Sequence, residues 1–392
     1  MKPVFLVTCY NQKNYGSVLQ AFATQEFLNA NSVPNQTVNT SGISNIIKKR
    51  KMAYFKRNVF SRDVLLDKAP YLWLNIHKKL NSKLRSNIQA RDKLFDEFAM
   101  SKFHLTESFS NFDELACASA KRAEAVLVGS DQLWLPTNIE ADYTTLNFVP
   151  EEITKISFAT SFGIAELPKI QAEKAAKFLK RFNYLSVREQ SGYILIEKLI
   201  HKSPTLVCDP VLLITAQQWR NYITKNSPPE HKYIFCYLLG KERSHYRWAK
   251  ELAEYTGLKI IAFTNLDTYI KLADEIVDVP YYNASPFELI SLIANAEHVC
   301  TDSFHATVFS LMFHKQVYTF KRFTKKTAMS TNGRLESLYK LFENDKPFIN
   351  ADTPIESAIE STPNHCAVDK AFSKLREISV NFLSEALNVK LH

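Results

Sequence analysis

Glycine is scarce in this chain, with 8 among 392 residues. Neither a GxGxxG loop nor a Walker loop can be assembled from them, so the usual sequence grounds for a nucleotide-phosphate cradle are missing. The six cysteines, at 9, 117, 208, 236, 300 and 366, show no CxxC spacing and no His at zinc-finger distance. That excludes a disulfide framework and a recognisable metal site, and it reads as reduced core cysteine in a cytoplasmic protein. No apolar run reaches the ~18 residues of a spanning helix. The opening "MKPVFLVTCYNQ" has too short an apolar run for a signal peptide and reads better as a first strand. No internal repeat or low-complexity tract stands out. The expected location is cytoplasmic, with at most peripheral contact at the inner face of the membrane.

What is present is ordinary globular composition, 46% hydrophobic and 23% charged. A chain of this length is expected to form two domains. Its net charge of +9 is concentrated: residues 48–102 hold 15 Lys and Arg against 5 Asp and Glu. Tyr54, Phe55, Phe60, Tyr71 and Trp73 interleave with them. Such a segment is a solvated helical face, a surface for anionic lipid or, least favoured, a nucleic-acid patch. No RRM aromatic set, KH loop or zinc finger accompanies it, so nucleic acid is not an expected partner.

Because glycines are few, their positions carry information. Gly16, Gly129, Gly163 and Gly240 each follow a β-branched or aromatic run: "VFLVTCY", "AVLVG", "ISFATSFG" and "YIFCYLLG". A glycine just past a strand marks a sharp turn or a close approach to a ligand. Further strands are expected at 184–189, 205–213, 259–265, 275–279, 298–301 and 316–320. Amphipathic helices are expected at 17–31, 171–182, 192–200, 246–257 and 285–296. Ser285, Pro286 and Glu288 make a cap for the last of these, and Gly257 ends its helix. This alternation means α/β with mainly parallel sheets. The polar "TKNSPPEHK", 224–232, is the best linker candidate. It separates an N-terminal domain, 1–222, from a C-terminal one, 232–360, with a terminal helix in 361–392. A basic helical insertion occupies about 45–105 of the first domain.

In open α/β sheets, ligands sit beyond the carboxyl ends of the strands. The loops at those ends are therefore the candidate site, read here as a cleft between two domains. Asn14, Tyr15 and Gly16 open a helix whose first N–H groups suit an anion or a sugar hydroxyl, or simply form a turn. Ser130 and Asp131 follow Gly129; Asp131 either caps a helix or orients an acceptor hydroxyl as base. Arg188 ends a strand and either clamps carboxylate or phosphate or pairs with Glu189 or another acid. Asp209 precedes Pro210, a common turn initiator. In "CTDSFHATVF", Asp302 or Ser303 caps a helix just after Thr301, and His305 in its first turn can donate to phosphate or transfer a proton. Arg334, with Lys321, Arg322, Lys325 and Lys326 before it, adds positive charge to the same region, although the lysines read as surface residues.

Six motifs in order, "NYGSVLQAF", "VGSDQLW", "ISFATSFG", "SVRE", "CDPVLL" and "CTDSFHATVFSLMF", resemble the polysaccharide pyruvyl transferase family. The resemblance spans residue 14 to about residue 320. It implies two Rossmann-like domains facing a cleft, a GT-B-like fold, and phosphoenolpyruvate as co-substrate with no further cofactor and no metal. The product would be a pyruvate ketal on a hydroxyl pair of a capsule or exopolysaccharide sugar, free or lipid-linked. On this resemblance His305, Asp131 and Arg188 are catalytic. Ser303, Thr301 and Arg334 join His305 and Arg188 at the donor, while Asn14, Tyr15, Gly16, Ser130, Asp131 and Asp209 face the acceptor. The chain departs from the pattern in one place: some members have Arg-Leu-His where Ser303-Phe304-His305 stands. Two other readings compete: a GT-B glycosyltransferase using a nucleotide sugar, and a non-catalytic carbohydrate-binding protein of the same fold. The C-terminal half offers no evident acidic ribose clamp or base-stacking loop for the first.

Overall fold

The computed structural model describes residues 2–57, 81–223, 231–263, 275–322, 333–342 and 348–392. Two compact units form. Unit 1 comprises Met1–Val64, Ala99–Ile214 and Phe372–His392, and unit 2 comprises Leu65–Phe98 and Thr215–Ala371.

Unit 1 is built on β1 (Val4–Val7), β2 (Asn35–Thr37), β3 (Ala125–Val128), β4 (Thr154–Thr160), β5 (Tyr184–Val187) and β6 (Thr205–Leu206), in the order β2-β1-β3-β4-β5-β6. Every described pairing is parallel. Apolar runs such as "VFLV" and "AVLV", buried at all four positions, are what a sheet covered on both faces requires. The helix Tyr15–Ala30 is buried along most of its length.

Unit 2 is built on β7 (Tyr233–Tyr237), β8 (Lys259–Phe263), β9 (Val279–Tyr281), β10 (His298–Thr301), β11 (Gln316–Phe320) and β12 (Phe348–Ile349). Their order, β12-β11-β10-β7-β8-β9, is the doubly wound arrangement, again all parallel among the described pairs. The fold class is thus α/β with two Rossmann-like units, as the alternation predicts.

Several element boundaries differ from expectation for identifiable reasons. The run 205–213 is strand only at Thr205–Leu206, because Pro210 lacks an N–H and starts a short 3-10 helix, Pro210–Leu212. The run 275–279 contributes only Val279 to β9. Ser285 forms the expected capping box with Glu288, and Gly257 takes the left-handed C-terminal position at φ 70°. The linker candidate lies largely outside the described residues, as do Phe60, Tyr71, Trp73, Lys325 and Lys326. The 45–105 stretch contains two described helices, Ser44–Arg57 and Ser82–Lys102. Of this stretch, the described residues 81–98 cluster with unit 2 rather than unit 1. There Leu84 and Ile88 pack with Tyr282, and Phe98 meets Phe287 edge-on. No described helix is long and apolar enough to cross a membrane.

The last helix, His365–Leu387, returns its final turns to unit 1. Ser379 Oγ accepts from the Cys208 N–H at 2.8 Å, and Phe382 stacks on Phe158. Phe382 also meets Tyr184 edge-on. Phe382→Ala is expected to destabilise the protein by about 3 kcal/mol, as for other buried Phe truncations, and urea unfolding measures it.

Candidate functional site

Each sheet has one point where the strand order reverses, and the polar residues collect there. In unit 1 it lies between β1 and β3. The chain leaves β3 through Gly129, whose φ of +144° suits glycine; a Cβ there would stand 1.9 Å from the Phe158 carbonyl oxygen. Ser130 is fully buried. Its N–H donates to Gln20 Oε1 at 2.9 Å and its hydroxyl to the Ala159 carbonyl at 2.8 Å. Asp131 accepts from Ser17 Oγ across the reversal point.

Arg188, at the end of β5, reaches the same place. Its side chain is 1% exposed and faces three carboxylates: Asp131 at 2.9 Å, Glu189 at 3.5 Å and Asp209 in direct contact. Burial alone would lower the guanidinium's pKa, but Asp209, Asp131 and Glu189 outweigh it and raise the value, so Arg188 stays charged. Asp209 also caps the 3-10 helix by accepting from the Val211 N–H at 3.2 Å. The buried thiol of Cys9 nearby is pushed well up by desolvation and by the charge of Asp131.

In unit 2 the reversal point lies between β7 and β10. The buried Asp302 carboxylate accepts from the N–H groups of Leu239 at 2.8 Å and Gly240 at 2.7 Å. Gly240 allows this approach, since a Cβ there would lie 2.8 Å from Asp302 Oδ2. Arg322 Nη2 donates to the Asp302 carbonyl at 3.0 Å and lies 3.5 Å from its carboxylate. Ser303 is the N-cap of the helix Phe304–Met312, accepting from the Ala306 N–H at 3.4 Å. His305, 6% exposed, stands in that helix's first turn with its ring against Phe304. The Arg334 guanidinium lies 5.7 Å from the Phe304 ring centre. His245, also near Asp302, stacks on Phe320, and burial lowers its pKa.

The structure therefore groups the expected residues into two sets: Asp131, Ser130, Arg188 and Asp209 in unit 1, and Thr301, Ser303, His305 and Arg334 in unit 2. Some have inward roles in place of the ligand contacts expected of them. Ser130 is used as described. Thr301 donates to the Tyr237 carbonyl at 2.7 Å and accepts from the Ser303 N–H at 3.0 Å. Asn14 caps its helix, accepting from the Ser17 N–H at 3.1 Å, with Tyr15 and Gly16 buried behind it. Arg188 takes the ion-pair alternative, and Asp302 holds a loop while Ser303 is the cap. The sequence does not single out Ser17, Gln20 and Arg322 for these contacts, whereas it does offer Glu189 as a partner of Arg188. A readable sign existed for two of them: Ser17, Gln20 and Thr24 are buried polar residues at i, i+3 and i+7 of a helix rich in buried apolar residues.

A family model described as polysaccharide pyruvyl transferase matches residues 14–322. The chain belongs to that family. No curated protein matches it. Among solved structures it is similar to an S. aureus MnaA–UDP co-structure, at 10% identity and TM-score 0.51, covering 99% of this chain and 98% of that one. It is also similar to the glycotransferase of kitacinnamycin, at 11% identity and TM-score 0.47, covering 99% and 98%. A third is E. coli heptosyltransferase WaaC with ADP, at 12% identity and TM-score 0.39, covering 96% and 100%. The first of these likenesses concerns the fold alone.

Arg188→Met would leave three carboxylates clustered without their guanidinium. It is expected to destabilise the protein by about 3–5 kcal/mol, measured by urea unfolding, and Asp209→Asn in the same chain should recover part of the loss. Gly240→Ala should displace the Asp302 carboxylate from its two N–H donors and lower stability by about 1–3 kcal/mol in the same assay.

Proposed function

We propose that the chain transfers the pyruvyl group of phosphoenolpyruvate to two hydroxyls of a sugar in a surface polysaccharide or its lipid-linked precursor. Family membership over residues 14–322 is the observation that carries this reading. The chemistry of the two residue sets supports it.

Ketal formation begins when the methylene carbon of phosphoenolpyruvate takes a proton, leaving an oxocarbenium-like centre at the adjacent carbon. One sugar hydroxyl adds there and loses its proton. Inorganic phosphate departs, and the second hydroxyl closes the ring and loses its own proton. The reaction as proposed needs no further cofactor. It needs cationic groups and N–H donors for the phosphate and carboxylate, an acid for carbon and a base for the hydroxyls.

In unit 2, His305 is the group assigned to donate to phosphoenolpyruvate, at the start of a nine-residue helix whose N-terminus favours an anion. Ser303 stands where some members have arginine. Arg322 and Arg334 supply the positive charge in its place, one beside Asp302 and the other beside Phe304. In unit 1, Asp131 orients an acceptor hydroxyl. Arg188 acts through Asp131 and Asp209 as a positioning residue rather than as a direct clamp on the donor.

The basic helix Ser44–Arg57 also presents Lys49 and Lys56 outward, suited to the anionic headgroups around a lipid-linked acceptor. Replacing both with Gln should reduce co-sedimentation with anionic vesicles; unchanged co-sedimentation removes this membrane contact.

The main test is phosphate release from phosphoenolpyruvate with galactosyl, glucosyl and N-acetylmannosaminyl acceptors, with a nucleotide sugar as control. Release that depends on the acceptor is expected, with none from the nucleotide sugar. His305→Gln should lower kcat by about 100-fold or more if the imidazole transfers the proton, since the amide keeps hydrogen bonding but not acid catalysis. Full turnover by His305→Ala would remove His305 from the mechanism.

A further inference from the structure

Unit 1 contains a pocket of about 220 Å³. It opens beside the carboxyl end of β1, at Thr8 and Cys9, and one wall is a face of the helix Ser44–Arg57. Ser44, Ile47, Lys48 and Lys51 line it. Their spacing of i, i+3, i+4 and i+7 puts them on one helical face. The other face is engaged: Arg50 pairs with Asp142, and Arg57 with Glu140. Among the described residues neither Lys48 nor Lys51 has a carboxylate partner.

The same pocket is lined by Thr8 and Tyr143, whose hydroxyls are buried. Neither has a hydrogen-bond partner among the described residues, and the two residues are only 7% and 6% exposed. A buried hydroxyl left unpaired is costly, and folded proteins rarely keep one without a reason. Here two of them belong to residues that line one pocket, beside Lys51, which is half-buried, and Lys48, which is exposed. Burial raises the Tyr143 pKa, so the phenol remains a donor at neutral pH. Burial also lowers the Lys51 pKa, the cost of an ammonium with no anion beside it. Cys9 and Leu133 both line the pocket, and Leu133 lies two residues after Asp131, the residue that orients the acceptor.

We propose that this pocket seats the acceptor as a sugar bearing an anionic substituent, its charge held by Lys48 and Lys51 and its hydroxyls by Thr8 and Tyr143. The acceptor role rests on the pyruvyl-transfer reading; the anionic-sugar site rests on the pocket itself.

The test is calorimetric titration of the full chain, without phosphoenolpyruvate. The probes are the 1-phosphates, the uronic acids where they exist and the neutral sugars of the galactose, glucose and N-acetylmannosamine series, with inorganic phosphate alone. At least one anionic sugar should bind about tenfold or more tightly than its neutral counterpart and than phosphate. Whether the 1-phosphates or the uronic acids of the series bind better identifies the substituent. Lys51→Gln and Lys48→Gln should each remove most of that preference. Tyr143→Phe should weaken binding several-fold while raising Tm, because it removes an unsatisfied hydroxyl from the free protein. Equal binding of neutral and anionic sugars, phosphate alone binding as tightly as any sugar, or no binding in all three series overturns the proposal. So does a Tyr143→Phe variant with lower Tm and unaltered affinity. Binding as expected with no phosphate release from phosphoenolpyruvate would leave this site standing and count against the pyruvyl-transfer reading instead.

Discussion

One buried guanidinium organises the first unit. Arg188 meets Asp131, Asp209 and Glu189, and removing a single charge from such a cluster costs far more than an exposed ion pair would. The network gathers five separate sequence motifs. "NYGSVLQAF" supplies Ser17 to Asp131, and "VGSDQLW" supplies Asp131 and Ser130. "ISFATSFG" supplies the Ala159 carbonyl to Ser130, "SVRE" supplies Arg188 and Glu189, and "CDPVLL" supplies Asp209. The motifs are therefore not five independent ligand contacts. They are parts of one charged knot at the point where the strand order reverses, and the acceptor chemistry assigned to Asp131 depends on that knot holding its carboxylate in place.

The second unit solves a similar problem with backbone. Its Asp302 is held by two N–H groups from the loop after β7 and by Arg322, and the glycine at 240 keeps the approach open. With Asp302 and Thr301 tied to the loop and strand, Ser303 is free to cap the helix. His305 then stands in the first turn of that helix, four residues past the end of β10. A short polar run at a strand end thus serves as cap, loop anchor and candidate acid at once.

Much of this was legible in the sequence because parallel strands buried on both faces write themselves as short apolar runs. The expected strands at 298–301 and 316–320 coincide with β10 and β11, and the Ser285-Pro286-Glu288 start is a purely local signal. β2 was missed because "NQT" is polar; its burial comes from neighbours, not from its own residue types. The strand at 205–213 was overextended because its apolar residues continue past Pro210 into a 3-10 helix. His305, Asp131 and Arg188 could be selected from their positions after strands. Ser17, the partner of Asp131, could not, since the two are 114 residues apart and only the sheet order brings them together. The face of Ser44–Arg57 that lines the pocket was hidden for another reason: a basic run looks the same whether its lysines meet water or a cavity wall.

The central claim is that a carbon skeleton, and not only a phosphate, moves from phosphoenolpyruvate to a sugar. Carbon-13-labelled phosphoenolpyruvate incubated with a competent acceptor, followed by NMR of the purified sugar, tests this directly. The account predicts label at a ketal carbon bonded to two sugar oxygens, with one phosphate released for each ketal formed. Unlabelled acceptor, or label attached through a single oxygen as an enolpyruvyl ether, would contradict it.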